Sequence, residues 1–330
     1  MAQPTKGDVH VNRPLTNISI AYFQDASTFI ADKVFPDVPV EKQSDAYWVI
    51  PRDSFNRDEM RVRAAGTESA GGGYEVDPSN TYYAVVRAYH HDIPDQVRAN
   101  SDAPLSSDRE ATVLCTHKAL INREKNFATK YFSTGVWGKD VGGVASGEVL
   151  GTSVRDWSDV ASNPIEDIRY YKRYIQQRTG FAPNTLVLGQ DVIDTLYDHP
   201  DIIDRIKYGQ TSGGPANTTV ADLEALFKVN RILVGSAINN TAKEGATESS
   251  SFIFSGGALL TYAAPSPGLM IPSAGYTFTW TGLLAAGSNG TRMKKFRMEH
   301  LESDRVEIQS AYDQKVVASD LSVFFNSLLG

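Results

Sequence analysis

The sequence predicts an α+β protein in which a helix-and-sheet unit carries extended segments that bury little apolar surface by themselves. Three observations support this fold class. A helical apolar period covers residues 106–132, strands alternate with short helices over residues 181–290, and β-branched and aromatic residues are frequent in segments 46–90 and 292–325. The chain has 330 residues, enough for a composite fold of this kind.

The first segment, residues 1–45, has no regular hydrophobic period. Pro14, Pro36 and Pro39 interrupt any helix, because proline lacks a backbone N–H donor and restricts the residue before it. The segment is therefore predicted to be extended. Since it has no core of its own, we expect it to lie on another surface.

The next segment, residues 46–90, predicts a long hairpin. Its strands are AYWVIP and NTYYAVVRAYHH, and glycines at position 66 and positions 71–73 mark a mobile tip between them. Two strands alone are marginally stable in water. The hairpin is therefore also expected to need a partner surface.

Two helices are indicated by both their period and their ends. The stretch from Ser107 to Glu110 has the pattern of a capping box at the start of the helix predicted over 106–132. At about 1.5 Å per residue this helix would be about 40 Å long, which is long for a core of this size. A second helix is predicted to begin after Asn163, with Pro164 at its first position, and to end at Gly180.

Residues 181–290 are predicted to form a mixed sheet with short helices. NTLVLG is a buried strand, Pro200 separates two short helices, TTVADLEALFKV is a helix and NRILVG is another strand. The stretches SSFIFSGGALLTYAA and YTFTWTGLL predict further strands, and residues 292–325 predict a long β segment.

Composition excludes several classes of function. The net charge of -7 disfavours a protein that coats nucleic acid through its average charge, since phosphates are held by Lys and Arg. No stretch approaches the roughly 20 apolar residues of a membrane-spanning helix, and the N-terminus is expected to be no secretory signal. Cys115 is the single cysteine, so no intrachain disulfide forms and a reducing compartment is favoured.

Candidate metal-binding and nucleophilic side chains do not converge. His90 and His91 are adjacent in a predicted strand and point to opposite faces, which disfavours a shared metal ion. Cys115 and His117 are two residues apart on a helix and do not face each other, and Cys115 lies on the apolar stripe. The sequence therefore predicts no catalytic residue, no cofactor and no metal.

A group of carboxylates between residues 190 and 205 leaves one enzymatic alternative open. Asp191, Asp194 and Asp198 follow the polar face of a short helix, which is typical of a solvated surface. A cytosolic metal- or carboxylate-dependent hydrolase built on the 181–290 lobe nevertheless stays as an alternative.

These parts, in this order, resemble the major capsid proteins of tailed bacteriophages with the Hong Kong 97-like (Johnson) fold. The most specific stretch is NTLVLGQDVIDTLYDHPDIIDRIKYG followed by TVADLEALFKVNRILVGSAI, in which L-x-x-H-P-x-I and L-x-x-L-F-x-V lie between two strands. The stretches IADKVFPDVPVEKQSDAYWV and RAAGTES are similar to the front of such proteins. Another phage structural protein, such as a decoration or tail subunit, stays as an alternative.

The resemblance implies a division of the chain into domains. These are an N-terminal arm (1–45), an extended-loop hairpin (46–90), a peripheral domain (91–180 and 291–330) that includes a spine helix (106–132), and an axial domain (181–290).

The resemblance also implies which residues contact other subunits. They are Arg57, Arg61, Arg63, Glu68 and Tyr74 in the hairpin, Phe23, Phe29 and Phe35 in the arm, and Gln210, Gly213 and Gly214 at the axial tip.

The function implied by the resemblance is structural and not enzymatic. Copies of the chain would self-assemble as hexamers and pentamers into an icosahedral shell that encloses phage double-stranded DNA without sequence-specific binding. A separate scaffolding protein, a portal and a cement protein are the expected further partners, and no membrane is involved. The protein would be found in the virion capsid, after assembly in the cytoplasm of the bacterial host.

Overall fold

Two larger β-sheets, one of five strands and one of six, organise the chain in the computed structural model. The structure describes residues 23–52, 55–101, 106–209, 218–268, 270–284 and 290–330. The strands are β1 (Asp37–Val40), β2 (Ser44–Val49), β3 (Asp77–Tyr83), β4 (Val85–Pro94), β5 (Asp140–Val144), β6 (Ser153–Arg155), β7 (Thr185–Gly189), β8 (Arg231–Gly235), β9 (Ile238–Asn240), β10 (Ser250–Phe252), β11 (Ala258–Thr261), β12 (Gly275–Trp280), β13 (Thr291–Met298), β14 (Ser303–Val316) and β15 (Ser322–Asn326). The helices are α1 (Asp95–Ala99), α2 (Ser107–Tyr131), α3 (Pro164–Thr179), α4 (Gln190–Tyr197), α5 (Pro200–Gly209), α6 (Val220–Phe227) and α7 (Thr281–Leu284).

The five-stranded sheet is built around β14. Strands β12 and β13 pair with successive parts of β14, β4 also pairs with β14, and β1 adds to β12 in parallel. Helix α2 lies on one face, where Ala111 and Cys115 pack against Ile93, Val306 and Ile308. Side chains alternate between the two faces along each strand, so these apolar residues share one face of the sheet. The long helix covers that face.

The six-stranded sheet has the order β6-β5-β15-β11-β7-β8 and mixes parallel and antiparallel pairs. Leu186 and Leu188 of β7 belong to the core that includes residues of α3 to α6, whereas Val187 belongs to a second core with residues of α2. Both faces of the strand are therefore buried, which explains the continuous apolar run of NTLVLG.

The two sheets do not follow the predicted domain boundaries. Strands β5, β6 and β15, which come from segments 91–180 and 291–330, share the six-stranded sheet with β7, β8 and β11. Strand β12 lies inside segment 181–290 but pairs with β14 of the other sheet. A local sequence pattern predicts a strand but not its pairing partner, so residue 181 was placed as a boundary where the sheet continues.

The ends of α3 are as predicted. The Asn163 side chain accepts from the backbone N–H of Glu166, Pro164 occupies the first turn, and Gly180 ends the helix with a φ of 81°. Such a left-handed end is the conformation that glycine adopts without steric cost.

The capping box predicted for α2 is absent. The N-cap residue is Ser106, without a side-chain capping bond, and Ser107 already lies inside the helix. Asp108 bonds Arg98 and Lys295, so long-range ion pairs hold this helix end instead. Across the described part of the chain, no helix is both long and apolar enough to cross a membrane.

The stretch SSFIFSGGALLTYAA forms two strands and not one. Strand β10 pairs with β9 in a small separate sheet, while β11 lies inside the six-stranded sheet. The turn between them includes Gly256, whose φ of 62° cannot continue a strand.

At Gly143 of β5 the backbone lies very close to another backbone segment, and this close approach provides a test of how β5 is packed. A Cβ at Gly143 would lie 1.9 Å from the Ser327 carbonyl oxygen and 2.6 Å from Asp156 Oδ1. Because one neighbour is backbone, Gly143→Ala should lower the free energy of unfolding by about 1–3 kcal/mol, measured by urea denaturation. Gly142→Ala is the matched control, since its nearest neighbour is Asn326 Oδ1 at 3.6 Å. Equal stability of the two variants would contradict the packing.

Candidate assembly surfaces

The hairpin formed by β2 and β3 leaves large apolar side chains uncovered. The exposed fractions are 76% for Trp48, 92% for Met60, 104% for Val62 and 60% for Tyr74. All the described residues from 55 to 76 are exposed. Exposed apolar groups in such a concentration are typical of surfaces that contact another macromolecule.

The predicted hairpin contact residues all lie on this uncovered surface. Tyr74 stacks on Phe55 with ring centroids 5.6 Å apart, and Arg63 donates to the Thr67 carbonyl oxygen. Charges of both signs follow the apolar side chains along this stretch of chain, so the surface suits a partner with apolar groups and with charges of both signs. The exposed predicted residues are Arg57, Arg61, Arg63, Glu68 and Tyr74.

The base of the same hairpin is fixed to the body of the protein. Tyr82 and Tyr47 stack on Phe278 of β12, with ring centroids 4.7 and 5.3 Å away. Asp313 Oδ2 accepts from the Tyr83 N–H at 3.0 Å, and Lys130 Nζ donates to Asp313 Oδ1 at 2.5 Å. The hairpin thus has an anchored base and a tip that the rest of the described chain does not cover.

Two of the predicted arm residues are buried inside their own chain. Phe29 and Phe35 are 3% and 2% exposed, and they belong to the core of their own chain. The Phe35 ring lies 5.0 Å from the Tyr131 ring of α2. The long helix of the same chain therefore supplies a surface for the arm at these two residues, and their contact with a neighbouring subunit stays a prediction. Phe23 is 46% exposed, with its ring 5.6 Å from the His117 ring.

The seam between arm and helix contains a charged group that the sequence patterns did not single out. Glu124 of α2 is 1% exposed and accepts from the backbone N–H groups of Ile30 and Ala31. Burial raises the pKa of this carboxyl to about 7, against the opposing effect of the two N–H bonds. The available signal was its spacing, since Glu124 lies three and seven residues before Phe127 and Tyr131 of the apolar stripe.

The adjacent histidines lie in β4, where they pair with Glu307 and Val306 of β14. Because neighbouring residues of a strand point in opposite directions, the two histidine side chains lie on opposite faces of the sheet. Cys115 is buried, its Sγ lies 3.7 Å from the Val306 carbonyl oxygen, and burial raises the pKa of its thiol. The thiol is therefore held in its protonated form. Within the described ranges, no group of three His, Cys, Asp or Glu side chains is placed to hold a metal ion.

Two of the aspartates between residues 190 and 205 make hydrogen bonds within the chain. Asp191 Oδ2 accepts from Ser255 Oγ at 2.7 Å and from the Gly256 N–H at 2.8 Å, which ties α4 to the turn before β11. Asp194 accepts from Gln190, and Asp198 is exposed. This arrangement disfavours the hydrolase alternative.

His199, the histidine of L-x-x-H-P-x-I, is also structural. It is 3% exposed, its Nδ1 accepts from the Asp201 N–H at 3.3 Å, and its Nε2 lies 3.0 Å from Ser162 Oγ. The ring thus caps α5 and links it to the start of α3. The predicted axial-tip residues, Gln210, Gly213 and Gly214, lie outside the described residues.

Comparison with known proteins gives similarities in sequence and in fold. The model of the family "phage major capsid protein E" matches residues 145–274, which include α3 to α6 and the strands between them. The major capsid protein of Burkholderia phage BcepMu is 26% identical over 241 residues, covering 72% of this chain and 73% of that protein.

Solved structures share the fold over nearly the whole chain. A phage-related protein from Bordetella bronchiseptica RB50 superposes with a TM-score of 0.67 at 20% identity, covering 92% of this chain and 94% of that one. The capsid of cyanophage P-SCSP1u gives a TM-score of 0.62 at 11% identity, with 100% and 99% covered. By sequence this chain is similar to phage major capsid proteins, and by fold it is similar to tailed-phage capsid structures, the Hong Kong 97-like fold.

Proposed function

We propose that this chain is a structural subunit that assembles as hexamers and pentamers into a closed icosahedral shell around phage double-stranded DNA. The observation that carries the proposal is the hairpin, whose base is stacked on Phe278 while Met60 and Val62 at its tip have no cover. A tip that fits a different surface on the next copy makes a heterologous contact, and such contacts close into rings.

The sheets suggest revised bounds for the proposed domains. The five-stranded sheet with α2 corresponds to the peripheral domain and its spine helix. The six-stranded sheet with α3 to α6 corresponds to the axial domain, which then takes in β5, β6 and β15.

The remaining partners follow from the shell. The net charge of -7 suits a shell whose wall leaves the packaged DNA mobile, without sequence-specific contacts and without enzymatic activity of the subunit. A scaffolding protein, a portal and a cement protein are proposed as further partners. Assembly is proposed to take place in the cytoplasm of the bacterial host.

Negative-stain electron microscopy of the purified protein, combined with light scattering, tests the proposal. We expect closed shells tens of nanometres across, or rings of five and six subunits. A monodisperse monomer that persists at high protein concentration would contradict self-assembly. Tight, salt-sensitive binding of free subunits to DNA would contradict the passive role of the wall.

A further inference from the structure

Outside the hairpin, three strongly exposed apolar side chains lie around one groove. They are Val149, Leu150 and Val160. Leu150 lines a groove of about 470 Å³ between the segment that joins β5 to α3 and the first turns of α3, and Val160 is next to the lining residue Ala161. We call this concave surface the α3 groove. An exposed apolar rim around a concavity is typical of a site that another molecule fills.

The walls of the α3 groove are held in place by contacts within the chain. Trp157 is buried, and its Nε1–H donates to Asp167 Oδ2 at 3.1 Å. Arg155 pairs with Asp159 at 2.8 Å, and the Asn163 side chain caps the first turn of α3. Because these walls are already fixed, a partner that enters the groove orders few additional side chains.

The α3 groove also has charges that its own chain leaves unpaired. Glu148, Glu166 and Arg169 line the groove, and none of them forms a salt bridge with another described residue. Charges of both signs therefore lie beside the apolar rim. A partner for this surface needs apolar groups together with charges of both signs.

The hairpin tip has these properties. Met60 and Val62 are exposed, and Arg61 between them forms no salt bridge within the described ranges. Glu68, farther along the tip, is exposed and supplies the opposite charge. All the described residues from 55 to 76 are exposed, so the tip does not fill the α3 groove of its own chain.

We propose that the α3 groove receives the hairpin tip of a second copy of this chain. The apolar side chains of the tip pack against Leu150 and its apolar neighbours, and the unpaired charges of the two surfaces meet around them. Because the tip and the groove are different surfaces, the contact is heterologous and repeats from copy to copy around a ring. This inference rests on the proposed self-assembly and names the surface that the tip contacts.

Thiol crosslinking of the assembled full-length protein tests the contact. Val62→Cys with Leu150→Cys places one thiol on the tip and one at the groove, while the native Cys115 is buried. A short bismaleimide should link this variant into a ladder that ends at five and six copies in denaturing gels. Val62→Cys with Met270→Cys is the matched control, since Met270 is 74% exposed against 67% for Leu150 and does not line the groove. The control should give no such ladder.

A substitution in the groove gives a second readout. Leu150→Asp should raise the protein concentration needed for assembly by more than about tenfold, because it buries an unpaired carboxylate against the tip. Thermal unfolding of the free subunit should stay near wild type, since the side chain is exposed there. Met270→Asp should assemble like wild type in light scattering.

The possible failures are distinguishable. If wild type forms shells but the Leu150 pair yields no more linked product than the Met270 pair, the tip contacts another surface and the groove belongs to a different partner. Assembly of Leu150→Asp at wild-type concentrations would lead to the same conclusion. Absence of wild-type assemblies in light scattering would instead overturn the proposed function and this contact together.

Discussion

Tyr131→Ala is expected to lower the free energy of unfolding by about 3–5 kcal/mol, the range for removing a large aromatic side chain from a core. The side chain is 0% exposed, and its ring lies 5.0 Å from Phe35, 4.8 Å from Phe127 and 5.8 Å from Trp137. It joins the arm, the long helix and the turn after that helix. The cavity would open where these parts meet, so neighbouring elements have little freedom to fill it.

Tyr131→Phe separates the ring from its hydroxyl group. The hydroxyl donates to the Tyr276 carbonyl oxygen at 3.3 Å, a bond that contributes about 0.5–1.5 kcal/mol. Urea denaturation of both variants should therefore place Tyr131→Phe close to wild type and Tyr131→Ala far below it. Similar midpoints for the two variants would mean that the ring is not the link between arm and helix.

Local features of the fold were predictable because short stretches of sequence encode them. Asn163, Pro164 and Gly180 each satisfy a backbone requirement of one helix end, and that helix begins and ends where they predict. The short helices on either side of Pro200 were predicted for the same reason. Each of these signals depends on neighbours within a few residues.

Long-range pairing was not predictable in the same way. Strand β15 follows β14 closely along the chain, yet it pairs with β5 and β11 of the other sheet. Nothing in its alternation specifies these partners, so the sequence alone does not show that the six-stranded sheet continues across residue 181. The start of α2 also involves distant residues: its predicted capping box is absent, and Asp108 in the first turn pairs with Arg98 and with Lys295 of β13.

The two candidate assembly surfaces, the hairpin and the arm, also differ in how much the sequence could predict about them. The hairpin was predicted to need a partner surface because its sequence supplies two strands and a glycine-rich tip but no core. In the structure, the described residues of the tip are exposed. The arm was also predicted to need a surface, but the sequence could not tell whether that surface belonged to the same chain. Burial of Phe29 and Phe35 against their own chain answers that question.

Placing aspartate at both Met60 and Val62 is expected to abolish shell formation. These side chains are 92% and 104% exposed, so the substitutions should leave the folding stability of the subunit nearly unchanged. In an assembled shell the same positions would be buried against a neighbour, and an unpaired carboxylate there would cost about 3 kcal/mol or more for each hairpin. The protein concentration needed for assembly should then rise by more than about 100-fold.

A conservative pair of substitutions makes this test specific to the contact. Met60→Leu with Val62→Ile keeps both side chains apolar at the same two positions, and this variant should assemble like wild type in light scattering and electron microscopy. Thermal unfolding of the aspartate variant as a free subunit checks that the fold survives. If that folded variant still forms shells at wild-type concentrations, the hairpin tip is not the contact that closes the rings, and another surface must do so.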